Sequence, residues 1–274
     1  MKHTYYDYSK EELLNNRPKF SVIVMENNAA VFQAMALEMT EEIKKNNLQD
    51  KRTVFICPVG PVGQYPYFVD TVNKENISLK DVWFINMDEY LDDEKNWLDI
   101  DHPLSFRGFM QTNVYKKIKE ELLMPEEQRV FPDPKNLEHI PRLIEKLEGV
   151  DICFGGIGIN GHVAFNEAVP GITKEEFLDQ KTRTVEISRE TRTANAIGDF
   201  NGALEDMPHY CVTIGMYEIS HARKIRLGCF RNWHRAVIRR AAYGNATSDF
   251  PVSLLAEHRD INLRITELVA GLEG

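Results

Sequence analysis

Short apolar runs rich in β-branched and aromatic residues recur along this chain, and longer amphipathic stretches separate them. The runs that predict strands lie at residues 21–25, 53–57, 82–87, 151–155, 184–188, 210–215 and 224–229. Helical spacing of apolar residues predicts helices near 29–46, 65–76, 104–122, 137–147 and 233–243. Strands that alternate with helices form βαβ units. The pattern therefore predicts an α/β fold with a mostly parallel sheet and helices on both of its faces.

Nothing in the sequence marks a boundary between domains. We find no internal repeat, no low-complexity tract and no linker-like composition, so residues 1–274 are predicted to form a single domain. The four cysteines lie in or beside predicted strands and form no CxxC pair, which predicts reduced, buried thiols.

Composition limits the classes of partner. The net charge is -9, from 33 Lys and Arg residues against 42 Asp and Glu residues, which disfavours nucleic acid as the main partner. The N-terminus lacks an apolar signal core, and no stretch approaches the roughly 18 apolar residues of a membrane helix. We therefore expect a cytoplasmic protein that binds neither nucleic acid nor a membrane.

Polar clusters follow the ends of the predicted strands, at residues 60–63, 88–90 and 155–167. Ligands of open parallel sheets bind beyond the carboxyl ends of the strands, so these clusters predict the functional site. In the second cluster, Asp88 and Glu89 point in different directions, so that one can face a cleft while the other makes a structural contact. The alternative is a loop of solvated acids that caps the next helix.

The third cluster is a glycine-rich turn, GGIGINGHVAFNE, that carries a histidine. His162 can exchange protons near neutral pH, and Glu167 is placed to orient the ring or hold its charge. The alternative is a histidine that only fixes the shape of the loop. These two residues are five positions apart with no third ligand nearby, so no metal site is predicted.

The same turn matches the GxGxxG pattern of dinucleotide sites at Gly156, Gly158 and Gly161. A dinucleotide site also needs a strand that ends in an acid about 20 residues later, and no such strand follows here. The sequence therefore predicts no nicotinamide cofactor.

A further cluster is basic, within a chain that is acidic overall. Its members are Arg183, Arg189, Arg192, Arg231, His234, Arg235, Arg239 and Arg240. Positive charge near a strand–helix junction suits a phosphate or a carboxylate. For Arg239 and Arg240 we expect instead a solvated helix face that pairs with surface acids.

Two of these clusters together resemble the glucosamine-6-phosphate deaminase family, whose members are also called isomerases. The motifs are NMDEY at 86–90 and the glycine-rich turn, with support from ETRTAN at 190–195, CVTIGM at 211–216 and VSLLAEH at 252–258. The resemblance implies a Rossmann-like α/β fold and the conversion of an amino-sugar phosphate to a ketose phosphate plus ammonia. It implies a small sugar phosphate as partner, no cofactor and no metal, and it leaves a homo-oligomer open.

The resemblance also assigns roles to single residues. Asp88 matches the base that moves a proton between C2 and C1, and His162 matches the histidine that opens the sugar ring. Asn160 and Glu167 match the residues that help this histidine. The positions implied in binding substrate or phosphate are Gly60, Val62, Gly63, Glu89, Gly158, Arg192 and His234.

Three departures from the family pattern predict altered specificity. The family has Asp where this chain has Asn160, and an amide orients an imidazole but does not stabilise imidazolium by charge. The family's phosphate loop, T-G-S-T/S-P, is replaced by VGPVG at 59–63, which loses two hydroxyl donors and, at Pro61, a backbone N–H. The family's phosphate-binding lysine is replaced by His234, whereas Arg192 is retained.

Two other functions stay open. A hydrolase of the 6-phosphogluconolactonase type shares the GGxGxxGH turn, although the FNE triplet at 165–167 favours the deaminase. A non-catalytic sugar-binding protein would explain the lost donors, although three of the four chemical positions are retained. The segment 168–181 is expected to be either a lid over the site or an ordinary surface helix.

Overall fold

The computed structural model describes residues 4–272, and a parallel sheet lies at its centre. The strands are β1 (Ser21–Met25), β2 (Thr53–Cys57), β3 (Val82–Asn86), β4 (Asp88–Leu91), β5 (Arg129–Val130), β6 (Ile152–Gly155), β7 (Arg183–Glu186), β8 (Tyr210–Thr213), β9 (Lys224–Cys229) and β10 (Ile261–Thr266). The helices are α1 (Lys10–Asn15), α2 (Asn28–Asn47), α3 (Gln64–Glu75), α4 (Phe106–Asn113), α5 (His139–Lys146), α6 (Lys174–Leu178), α7 (Arg189–Asp199), α8 (Met216–Ser220), α9 (His234–Tyr243) and α10 (Glu267–Ala270). Seven strands form the parallel sheet in the order β1-β10-β9-β6-β2-β3-β5.

Both faces of this sheet are covered, as β2 illustrates. Val54 and Ile56 belong to one apolar core, and Phe55 and Cys57 belong to another, because successive side chains of a strand alternate between its faces. The first core includes side chains from α5 and α9, and the second includes side chains from α2, α3 and α4. The predicted α/β fold, with a mostly parallel sheet flanked by helices on both faces, is confirmed.

A second sheet, absent from the sequence-based prediction, contains three antiparallel strands in the order β4-β8-β7. Residues 88–90 were predicted as a polar cluster beyond the end of the strand at 82–87, with a loop of solvated acids as the alternative. Strand β4 is instead held by its partner β8, with Asp88 opposite Thr213. Asp88 therefore lies on a strand whose backbone is paired.

The bounds of β1, β2 and β9 agree with the prediction residue for residue. The prediction missed β10, although INLRIT alternates apolar and polar residues. The predicted helix at 104–122 is too long, because α4 ends at Asn113 and a 3-10 turn, Tyr115–Lys117, follows it.

The cysteine prediction is confirmed, since all four thiols are free and buried. The prediction of one domain over 1–274 stays a prediction, and residues 1–3 and 273–274 lie outside the described part of the chain. Across residues 4–272, no helix has the length and apolar character needed to cross a membrane.

Candidate active site

A cavity of about 420 Å³ opens at the carboxyl ends of β9, β6, β2 and β3, which are neighbours in the parallel sheet. Each of these strands continues into a segment that lines the cavity, and α4 and α7 complete its walls. The volume lies within the range of about 300–1,000 Å³ that is typical of small-molecule pockets. The cavity is also where an open α/β sheet is expected to bind its ligand.

Asp88 lines this cavity from the start of β4. The residue is 7% exposed, and burial raises the pKa of its carboxyl to about 8, with a further contribution from the negative charge of Glu89. The carboxyl is therefore mostly protonated at neutral pH. A group whose pKa lies near the working pH suits proton transfer, because it both accepts and returns a proton readily.

Glu89 points away from the cavity and is fully buried. Its Oε1 accepts a hydrogen bond from the backbone N–H of Phe106 at 2.9 Å, and its Oε2 accepts from the backbone N–H of Arg107 at 2.8 Å. These donors lie at the N-terminus of α4, where a carboxylate complements the helix dipole. Glu89 therefore stabilises the N-terminus of a helix that lines the cavity. Its carboxylate makes this structural contact in place of the expected contact with substrate.

His162 lines the same cavity, and a chain of hydrogen bonds holds its ring. Its Nδ1 lies 2.6 Å from Oδ1 of Asn160, and Nδ2 of Asn160 donates to Oε2 of Glu167 at 2.5 Å. An ionised carboxylate only accepts, so the amide must turn its NH₂ to Glu167 and its oxygen to the imidazole. The neutral ring therefore carries its proton on Nδ1, which leaves Nε2 as the proton acceptor.

Burial lowers the pKa of the His162 imidazole, against the opposing effect of the Glu167 charge. Oε2 of Glu167 lies 3.8 Å from Nδ1, beyond hydrogen-bond distance. Two hydroxyls at the start of α7 complete these surroundings. Oγ1 of Thr191 lies 3.3 Å from Nδ1, and Oγ of Ser188 donates to Oε2 of Glu167 at 3.1 Å. Neither residue was predicted from the sequence, although Thr191 lies within the ETRTAN run at 190–195.

The glycines of the turn are required by close packing. Gly158 lies directly against the His162 ring, so that any Cβ at this position would overlap the imidazole. Gly161 has a φ of +85°, and a Cβ there would lie 2.5 Å from the ring of Phe250. Gly158 therefore leaves the space that the histidine ring occupies, and Gly161 lets the turn pack against Phe250.

The turn after β2 forms another wall of the cavity. Gly60 and Val62 line it, and the N-terminus of α3 follows directly. Gly63, the residue before α3, does not line the cavity but packs against Phe32, whose ring occupies the space that a Cβ would need. Backbone N–H groups at a helix N-terminus favour a bound anion.

His234 lines the cavity but offers it no polar atom. Its Nε2 donates to the carbonyl of Ile157 at 2.9 Å, and its Nδ1 accepts from the backbone N–H of Arg231 at 2.8 Å. Burial lowers the pKa of this imidazole to about 4, so it is neutral. The expected polar contact between His234 and a phosphate is therefore corrected. Arg231 also lines the cavity, and its guanidinium lies against Gly198 of α7.

Helix α7 covers one side of the cavity through Ala194 and Asn195. Nδ2 of Asn195 lies 3.0 Å from the hydroxyl oxygen of Tyr90, so a polar pair missed by the sequence analysis joins two walls. Arg192, expected at the phosphate, is not among the lining residues, and its Nη2 donates to the carbonyl of Leu204 at 3.3 Å. The segment 168–181 contains the short helix α6 and contributes no lining residue.

Arg239 contradicts its predicted place on a solvated helix face, because it is fully buried. Its guanidinium donates to the carbonyls of Tyr8, Val269 and Ala270 at 2.8, 3.2 and 2.7 Å. The last two carbonyls belong to α10. The arginine thus joins the first described residues of the chain to the last helix.

Within residues 4–272, no group of three or more His, Cys, Asp or Glu side chains is arranged to hold a metal ion.

Comparison with known proteins relates this site to one family. No protein-family model matches the sequence. The chain is 30% identical over 256 residues to a glucosamine-6-phosphate deaminase of Clostridium perfringens, covering 92% of this chain and 98% of that protein. It is 29% identical over 254 residues to a protein of the same name from Thermoanaerobacter, covering 88% and 92%.

Solved structures agree with this relation. A monomeric glucosamine-6-phosphate deaminase of the NagB superfamily superposes with a TM-score of 0.79 at 25% identity, covering 92% of this chain and all of that one. A 6-phosphogluconolactonase from Trypanosoma brucei shares the fold, with a TM-score of 0.64 at 16% identity and coverage of 92% and 98%. The sequence identity over nearly the whole length of its relatives is decisive, and the chain belongs to the glucosamine-6-phosphate deaminase family.

Proposed function

We propose that this protein is an amino-sugar-phosphate isomerase and deaminase, acting on a substrate of the glucosamine-6-phosphate or galactosamine-6-phosphate type. The observation that carries the proposal is that Asp88 and His162 line one cavity large enough for a small ligand. The named activity of the relatives supports the same reaction. The proposal involves no cofactor, and a cytoplasmic location stays a prediction.

The reaction starts with opening of the sugar ring. Nε2 of His162 takes the proton of the C1 hydroxyl, the bond between C1 and the ring oxygen breaks, and the proton returns to the ring oxygen. The orientation of the ring by Asn160 and Glu167 supports this role, because it leaves Nε2 unprotonated. A proton shuttle at this point lowers the barrier by general acid–base catalysis.

Asp88 then transfers a proton from C2 to C1 of the open chain. The C1 oxygen gains a proton as the nitrogen on C2 loses one, so C1 becomes a hydroxymethyl group and C2 becomes an imine. Water then adds to C2, and ammonia leaves to give the ketose phosphate. Asp88 must be ionised to take the first proton, and its pKa of about 8 in the free protein disfavours this state. The ammonium group of a bound amino sugar favours the carboxylate by its opposite charge, so the substrate itself promotes the active form.

The phosphate is proposed to lie between the N-terminus of α3 and the guanidinium of Arg231. Gly60 and Val62 line that part of the cavity, and the residue between them, Pro61, has no N–H to offer. This mode of binding differs from a hydroxyl-lined loop, which supports altered specificity. Gly158 contributes through the space that it leaves for His162.

The test is ammonia release from glucosamine-6-phosphate and from galactosamine-6-phosphate, with identification of the ketose phosphate. Asp88→Asn should lower turnover by about 10²–10⁴-fold, the usual contribution of a positioned acid–base group. Asp151→Asn is a matched control, because Asp151 is also 7% exposed but lies just before β6, at the opposite end of that strand. Absence of ammonia release across a panel of amino-sugar phosphates, or full activity of Asp88→Asn, would contradict the proposal.

Hydrolysis of a sugar lactone is the second candidate. The unprotonated Nε2 of His162 favours it, because such a nitrogen can activate water without help from Asp88. Lactone hydrolysis without ammonia release, retained in Asp88→Asn, would establish the hydrolase in place of the deaminase.

A further inference from the structure

Two hydroxyls connect His162 to Glu167 beside Asn160, whose Nδ2 lies 3.5 Å from Oγ1 of Thr191. Oγ1 of Thr191 lies 3.3 Å from Nδ1 of His162, and Oγ of Ser188 lies 3.2 Å from Oγ1 of Thr191 and 3.1 Å from Oε2 of Glu167. Thr191 is fully buried, so this path is shielded from solvent at its centre. The direct separation of Nδ1 and Oε2 is 3.8 Å, which excludes a direct hydrogen bond.

The amide path and the hydroxyl path differ in what they can carry. The Asn160 amide accepts from Nδ1 through its oxygen and donates to Glu167 through its nitrogen. A proton passed along it would leave an imidic acid, a much less stable tautomer of the amide. A hydroxyl accepts a proton on one lone pair while donating its own, and it remains a hydroxyl. Only the hydroxyl path is therefore suited to proton transfer.

The directions of the hydrogen bonds agree with such a transfer. Ser188 has one O–H, and an ionised Glu167 only accepts, so Ser188 donates to the carboxylate. The Oγ of Ser188 then has lone pairs for the backbone N–H of Thr191, at 3.2 Å, and for the Thr191 hydroxyl. With these assignments the hydrogens of Thr191 and Ser188 point towards Glu167, and Oγ1 of Thr191 keeps a lone pair for the Nδ1 hydrogen, whose nearer acceptor is Oδ1 of Asn160 at 2.6 Å.

We propose that Thr191 and Ser188 form a proton relay from His162 to Glu167 that serves the ring-opening step. The inference rests on the proposed function. When Nε2 takes the substrate proton, Nδ1 gives its proton to Thr191, Thr191 gives its own to Ser188, and Ser188 gives its own to Glu167. One proton enters at Nε2 and one arrives at Oε2, only N–H and O–H bonds change, and no oxidant or reductant is needed.

The relay accounts for the amide at position 160. Without it, proton uptake at Nε2 would leave a buried imidazolium beside a neutral amide, and burial disfavours that charge. With it, the imidazole changes tautomer but stays neutral, and the charge that disappears is that of Glu167. The reverse shift restores the tautomer when Nε2 delivers the proton to the ring oxygen.

Thr191 is the better residue to test, because Ser188 also caps α7 through the N–H of Thr191. Thr191→Val keeps the shape and removes the hydroxyl, and we expect turnover to fall about tenfold or more, with a change in the solvent deuterium isotope effect. Thr191→Ser should recover most of the activity. Thr182→Val is the matched control. The Thr182 hydroxyl is buried and donates to Glu218 at 3.1 Å, and Thr182 does not line the cavity, so turnover of this variant should match that of the wild type.

The Asn160→Asp background separates a relay from a structural role. The introduced carboxylate oxygen would lie where the amide oxygen now lies, 2.6 Å from Nδ1, and would accept the proton directly. Thr191→Val should then cost less than about threefold in turnover, because the relay is no longer needed. Equal losses in the two backgrounds would show that Thr191 only supports the structure and would overturn the relay.

A measurement without substrate keeps the two proposals distinguishable. In protein labelled with ¹⁵N at histidine, the Nδ1 proton of His162 should exchange with solvent about tenfold more slowly in Thr191→Val and at the original rate in Thr191→Ser. Slower exchange in a protein that releases no ammonia would retain the relay and refute the deaminase. Ammonia release with unchanged exchange and unchanged turnover in Thr191→Val would retain the deaminase and refute the relay.

Discussion

Replacing Asp88 by asparagine should stabilise the protein in alkaline solution while abolishing most of its activity. The ordinary pKa of an aspartate carboxyl is 3.8, and burial raises that of Asp88 to about 8 in the folded protein. Between these values the native state binds one proton more than the unfolded state. The free energy of unfolding therefore falls with rising pH, by about 1.4 kcal/mol per pH unit across this interval.

Asparagine has nearly the shape of a protonated carboxyl group and does not ionise. At pH 5, about 1.2 units above the ordinary pKa, the ionisation of Asp88 has cost the wild type only about 1.7 kcal/mol of its stability, so the two proteins should differ less there than at pH 8. Between pH 5 and pH 8 the variant should gain about 4 kcal/mol relative to the wild type. Urea unfolding at the two pH values measures both quantities.

Asp151→Asn is the control for the pH dependence of unfolding. Asp151→Asn removes the charge that pairs with Arg223 and leaves one side-chain oxygen for two donors, the Arg223 guanidinium and the backbone N–H of Val54, so this variant should lose stability at both pH values. Parallel stability curves for Asp88→Asn and the wild type would show that Asp88 is already ionised in the folded protein. In the active wild type, kcat/KM should rise about tenfold per pH unit below pH 8, after correction for titration of the substrate amine.

Three further variants test other contacts. Gly158→Ala should abolish turnover, because its Cβ would displace the His162 ring, and normal activity would contradict the assigned packing. Arg231→Met should raise KM for a sugar phosphate by about 10–100-fold with a smaller effect on kcat, as expected for a lost charge-assisted hydrogen bond; an unchanged KM would exclude a contact with phosphate. Arg239→Met should lower the free energy of unfolding by about 3 kcal/mol, because buried carbonyls lose their donors, and KM should not change; unfolding at the wild-type urea concentration would contradict this structural role.

Local sequence predicted the bounds of a strand or helix correctly where short-range patterns of residues determine those bounds. Strands β1, β2 and β9 are buried in a parallel sheet, so their apolar runs are continuous and end where the chain turns. Strand β4 was missed, because its sequence is polar and its pairing depends on β8, more than 100 residues further along the chain. The helix predicted at 104–122 was too long for a related reason, since apolar spacing does not show where a helix gives way to a 3-10 turn.

Some features of the candidate site were predicted from the sequence, and others depend on tertiary contacts. The order of strands in the sheet brings Asp88 and His162 to one cavity, as the strand-end rule predicts. The assignment of Glu89 to substrate did not hold, because the N-terminus of α4 supplies its donors. The assignment of a polar contact to His234 did not hold either, since two backbone groups engage its ring nitrogens.

The amino-acid sequence by itself determined the α/β class, the placement of polar residues after strands and the family motifs, because these depend on short-range patterns and residue identity. Only the tertiary structure decided which of two adjacent acids faces the cavity, which nitrogen of His162 carries its proton, and that Thr191 lies beside that nitrogen. Those properties depend on burial and on hydrogen-bond partners that are distant along the chain. Such partners become neighbours only when the sheet and helices pack together.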